Sequence, residues 1–164
     1  MNGKRTLSVM IVSCLVLATS VASASAAIKP QKSIAGIALE MTAAEVIDKK
    51  GKPDRDAVVE AEIFGEQRVM RYGRTKVFFA GTRAKSPVIL VRSKDRGQRT
   101  NGGSGVGSTQ EELLEEFSRM TCETEFGFRH CYLGKFEPGK RVTDFAINKR
   151  SGKASSVTVA IVVD

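Results

Sequence analysis

Gly36-Ile37-Ala38-Leu39-Glu40-Met41-Thr42-Ala43-Ala44-Glu45-Val46-Ile47 is echoed 67 positions later by Gly103-Ser104-Gly105-Val106-Gly107-Ser108-Thr109-Gln110-Glu111-Glu112-Leu113-Leu114. Leu39 falls on Val106, Thr42 on Thr109, Glu45 on Glu112, and Val46-Ile47 on Leu113-Leu114. The matched Thr and Glu have a physical role. In a Thr-x-x-Glu capping box the hydroxyl accepts from the N3 amide, and the carboxylate reaches back to the cap amide. An apolar pair follows each box, so each predicts the start of an amphipathic helix of about 8–10 residues. Gly51, with Pro53 just beyond, is a stop signal for the first. Leu39 and Val106 precede the caps, where an apolar side chain can pack back onto the helix.

Beyond each helix the period changes. Residues 68–72, 75–80 and 87–93 read as strands, then 129–133, 141–147 and 155–163. Gly73, 81–86, 134–140 and 148–153 supply the turns. The expected class is α+β: a tandem repeat of one helix and about three antiparallel strands, with the helices on one face of a sheet. The units would be 28–95 and 96–164, joined across the polar, glycine-rich stretch 94–103. Each is small enough to be marginal alone.

Residues 37–46, with Gly51-Lys52-Pro53-Asp54, resemble the I-x-L-G-M-T-x-x-E-V … L-G-x-P-D opening of a bacterial envelope module. That module occurs in the small outer-membrane assembly lipoproteins. In tandem it resembles the beta-lactamase inhibitory protein family. The match is strong over 34–56 and weaker over 103–117. The resemblance implies an exported helix-on-sheet fold and brings no contact residue with it. Glu40 stands where the pattern has Gly. The inhibitor family has a disulfide in each half and an aromatic contact face, whereas this chain has no Trp and only Tyr72 and Tyr132.

The 164-residue chain holds 26 Lys and Arg against 18 Asp and Glu, which excludes a large multidomain enzyme and makes the protein basic. Lys4 and Arg5 precede an apolar run, 7–17, and then the small residues 18–27. These are the three parts of a cleavable export signal over 1–27, with cleavage after Ala26 or Ala27. Ile11-Val12-Ser13-Cys14 offers a lipobox-like alternative that would tether the protein through Cys14. In an oxidising compartment Cys122 and Cys131 are expected to form a disulfide around a turn at Gly127, stabilising by about 2–3 kcal/mol. The alternative is a metal site, which would need two more ligands, and only His130 is near.

The run 102–109 has Gly-x-x-x-x-Gly spacing before a helix, but Ser108 occupies the position of the phosphate-binding Lys. Its glycines are expected to serve the turn into the capped helix. His130, the only histidine, is expected to be an exposed strand residue without a catalytic partner. Asp54, Asp56, Glu111, Glu112, Glu115 and Glu116 suggest acid–base chemistry only superficially. The four glutamates form i,i+4 pairs on one helical face and cannot oppose each other across a cleft. Arg92, Lys94, Arg96 and Arg99 cluster near the joint and are the candidate surface for an anionic envelope polymer or an acidic protein. Arg83, Lys85, Lys135, Lys140 and Arg141 lie in other turns. No stacking-aromatic motif points to nucleic acid. The expectation is a secreted, non-catalytic protein-binding module, without cofactor or metal. The alternative is a cell-envelope structural or assembly factor, held by charge or by a lipid on Cys14.

Overall fold

The computed structural model describes residues 27–61 and 65–163. The expected export segment with Cys14, up to Ala26, lies outside the described residues. Three short strands open the described chain: β1 (Ile28–Lys29), β2 (Ser33–Ile34) and β3 (Ile37–Ala38), paired as a small antiparallel sheet. Helix α1 (Ala43–Lys50) and strands β4 (Arg55–Ala61), β5 (Gly65–Tyr72), β6 (Thr75–Phe79) and β7 (Val88–Ser93) follow. Then come α2 (Gln110–Glu116), β8 (Thr121–Glu125), β9 (Phe128–Leu133), β10 (Arg141–Asn148) and β11 (Lys153–Ile161). Strands β4 to β11 form one antiparallel sheet in the order β4-β5-β6-β7-β11-β10-β9-β8.

The α+β tandem-repeat expectation is corrected here. Among the described residues strand makes up 48% and helix 11%, so they are mostly β. The two helices have 8 and 7 residues and contribute only Ala43, Val46 and Leu113 as buried side chains. The layer over the sheet is shared with β1–β3, whose Ile28, Ile34 and Ile37 are fully buried. Each of these strands is two residues long, too short to show a periodicity in the sequence. Strands β4 and β8 were also missed. They form the two edges of the sheet, and their residues are mostly exposed, so neither shows the alternation of a half-buried strand.

The core explains why these segments pair as they do. On the covered face, Met70, Val77, Val91 and Val159 are direct cross-strand neighbours, as are Val157, Phe145 and Cys131. All seven are 0% exposed and belong to one cluster that includes the helix and small-sheet residues. Burying each aliphatic or aromatic side chain contributes about 1.5–3 kcal/mol. Both capping boxes form. Thr42 Oγ1 accepts from the Glu45 amide at 3.2 Å, and Glu45 accepts from the Thr42 amide at 2.7 Å. Thr109 and Glu112 do the same at 3.2 and 2.8 Å.

Two local features refine the sequence reading. Glu40, at the pattern's glycine position, has φ +69°, a left-handed conformation that costs a non-glycine residue about 1–2 kcal/mol. Its carboxylate pairs with Arg141. The Cys122–Cys131 disulfide is formed, between directly opposed residues of β8 and β9 whose Cα atoms are 4.0 Å apart. Phe126 and Gly127 make the hairpin turn with φ of +45° and +80°, the two positive values of a type I′ turn.

Candidate binding surface

Among the described residues, no helix lies over the other face of the sheet. Cross-strand register assigns its residues to rows. One row runs through all eight strands: Arg55, Arg71, Lys76, Arg92, Thr158, Asp144, Tyr132 and Thr121. The adjacent row is apolar: Ala57, Val69, Phe78, Leu90, Ala160 and Val142. Val69, Phe78 and Leu90 are half-buried and lie outside the core cluster.

The first four residues of the long row are cations on four adjacent strands, and all are exposed. Strands about 4.8 Å apart place these charges over about 14 Å. Like charges directly opposite each other destabilise a sheet. Among the described residues, none of the four is in an ion pair. Arg92 donates from Nε to Thr158 Oγ1 at 3.2 Å, which leaves its terminal nitrogens for other acceptors. Arg71, Arg74, Lys76, Arg92 and Lys94 surround a groove of about 300 Å³ with Phe78 in its lining.

The structure thus divides the four predicted cations. Arg92 and Lys94 lie in this groove. Arg96 is exposed on the joint, outside the groove lining. Arg99 is half-buried and donates to Gly103 O and Ser108 Oγ, each at 3.4 Å. Arg55, Arg71, Arg74 and Lys76 were missed, because only the pairing of β4 to β7 aligns them with Arg92. Elsewhere, Lys135 pairs with Glu137, while Arg83 and Lys85 are exposed in a turn.

The far end of the same face is aromatic and acidic. The rings of His130, Tyr132 and Phe136 lie 4.8–5.9 Å apart by centroid. The expectation that His130 is exposed is corrected: its side chain is only 15% exposed, and Nδ1 lies 2.8 Å from Asp144 Oδ1. Burial raises the Asp144 carboxyl above its usual range, against the opposing effect of His130. Burial and the neighbouring Glu123 raise the Tyr132 phenol. Nε2 of His130 has no hydrogen-bond partner among the described residues.

The glycine run holds an internal anion. Glu116 accepts from Thr100 Oγ1 at 2.8 Å, Ser104 N at 3.0 Å and Gly102 N at 3.2 Å. Burial opposes the charge, yet these donors hold the carboxyl below its usual range. A Cβ on Gly102 would sit 2.3 Å from Glu116 Cδ, and one on Gly105 would sit 2.4 Å from Gln98 O. Hence the glycines permit close approach, as well as the turn into α2. Three other candidate carboxylates have partners: Asp54 accepts from the Gly73 amide, Asp56 pairs with Arg68, and Glu112 completes a cap, while Glu111 and Glu115 are exposed.

No family model matches the chain, and no curated protein matches it. Among solved structures it is similar to an extracellular protein containing an SCP domain from Bacillus anthracis str. Ames. The identity is 12% and the TM-score 0.49, covering 92% of this chain and 50% of that one. It is also similar to a cysteine-rich secretory protein from Staphylococcus aureus subsp. aureus Mu50, with 12% identity and a TM-score of 0.46, covering 84% and 49%. The chain spans about half the length of these structures. Likenesses at this level carry no argument about what it binds. Among the described residues, no helix is long and apolar enough to cross a membrane.

Proposed function

We propose that this protein is an exported, non-catalytic binding module that presents the open face of its sheet to an acidic protein partner. The observation that carries the reading is the Arg55–Arg71–Lys76–Arg92 row. Three successive like-charge pairs oppose folding; among the described residues none of the four cations is in an ion pair, and only Arg92 feels a nearby carboxylate, Asp144. An acidic surface laid across the row would convert that repulsion into attraction and steer association. The neighbouring Val69, Phe78 and Leu90 supply the apolar area that a protein interface needs and that a purely ionic polymer would not use. The signal-like segment 1–27 and the disulfide support export. An exported enzyme is one candidate partner, on the resemblance carried by residues 34–56.

The test compares baits that differ only in which face has lost charge. The oxidised wild type, an Arg71→Gln/Lys76→Gln/Arg92→Gln variant and a Lys49→Gln/Lys50→Gln/Lys149→Gln control are used to capture partners from envelope and culture-supernatant fractions. One protein retained near 1:1 by wild type and control, and lost by the open-face variant, supports the reading. Equal capture by all three removes the open face from the interaction. Capture of anionic polymer alone, released as salt rises, replaces the protein partner by charge-driven envelope association.

A further inference from the structure

We propose that His130, Glu123 and Glu125 form a binding site for a divalent transition metal such as zinc, at the β8–β9 end of the open face. Glu123 lies directly opposite His130, and Glu125 is two residues further along the same face of β8. One ligand atom from each of the three lies within 4.8 Å of the others. The closest approach is His130 Nε2 to Glu123 Oε1, at 3.8 Å. Bonds of about 2.0–2.2 Å to imidazole nitrogen and carboxylate oxygen could bridge that pair, and small rotations of the exposed glutamates would close the rest.

The second observation concerns the imidazole. Asp144 Oδ1 lies 2.8 Å from Nδ1 and, as a carboxylate, selects the tautomer in which Nδ1 donates to it. This places the lone pair on Nε2. That atom is buried, has no hydrogen-bond partner among the described residues, and faces the Glu123 carboxylate. A lone pair opposed to an anion is unfavourable unless a positive centre lies between them. A carboxylate behind the histidine is also the arrangement that orients metal-binding imidazoles and raises their basicity. One nitrogen with two carboxylate oxygens suits a borderline cation better than magnesium or calcium, which prefer oxygen alone. Three protein ligands leave a coordination position for water or for an atom from a partner.

Calorimetric titration of the oxidised protein with zinc in metal-free buffer tests the site. One equivalent should bind. His130→Ala should abolish binding, as should Glu123→Gln/Glu125→Gln. The second variant alters only exposed carboxylates and stays informative if His130→Ala fails to fold. Asp144→Asn should weaken binding by about 10–100-fold, with the stoichiometry unchanged. Absence of uptake at millimolar zinc overturns the proposal. Uptake that persists in the double glutamate variant also overturns it.

Discussion

Neutralising Lys76 should make the protein more stable while weakening its binding surface. Lys76 lies directly between Arg71 and Arg92 on the open face, with a cation on each side and none in an ion pair among the described residues. Two unit charges about 5 Å apart in water repel by about 0.8 kcal/mol. Two such neighbours give about 1.5 kcal/mol as an upper bound, and splaying of the long side chains lowers it. Lys76→Gln is therefore expected to add about 0.5–1 kcal/mol in dilute buffer. At physiological ionic strength, where the Debye length is about 8 Å, roughly half of that remains. Urea unfolding at low and high salt measures the gain, with Lys149→Gln in an exposed turn as the control. A loss of stability at low salt would refute the repulsion argument. So would a gain that salt leaves unchanged, since that would reflect strand preference and not charge.

Glu116→Gln removes the charged acceptor from three donors, and an effect of about 1–2 kcal/mol is expected at neutral pH for this partly exposed site. The folded carboxyl is depressed, so its contribution is complete above the unfolded carboxylate range and fades as pH falls through the folded value. The gap between wild type and Glu116→Gln should therefore close below about pH 4, as read by unfolding curves across pH. Gly102→Ala displaces the same carboxylate, and the double variant should lose less than the sum of the singles. Replacing Cys122 and Cys131 together by Ala should cost about 2–3 kcal/mol by thermal or urea unfolding. A mature mass that begins near residue 27 or 28 is expected for the exported protein, whereas a diacylated Cys14 would make it a tethered one.

The parts of the fold legible in the sequence were those with a local signature. Thr42–Glu45 and Thr109–Glu112 mark both helix starts because a capping box is made within four residues. The disulfide could be read from two cysteines around a glycine turn, given the export expected from residues 1–27. The dominance of the sheet could not. Edge strands β4 and β8 have little buried pattern, and β1–β3 are two residues each, too short for periodicity. The candidate surface was half legible for a related reason. Arg92 and Lys94 stood out in a basic joint, but Arg71 and Lys76 join them only through strand pairing. Arg96 and Arg99, close to them in sequence, project elsewhere because the chain leaves the sheet after Ser93. His130 was misjudged because its partner Asp144 is 14 residues away and meets it only through the β9–β10 register.

The most direct test of the open face as the binding surface is partner retention by the Arg71→Gln/Lys76→Gln/Arg92→Gln variant, measured beside the equally neutralised Lys49→Gln/Lys50→Gln/Lys149→Gln control. Loss of a stoichiometric protein partner from the first, with full retention by the second and intact folding of both, is the expected result. Equal retention by the two would contradict the assignment of binding to the cationic row.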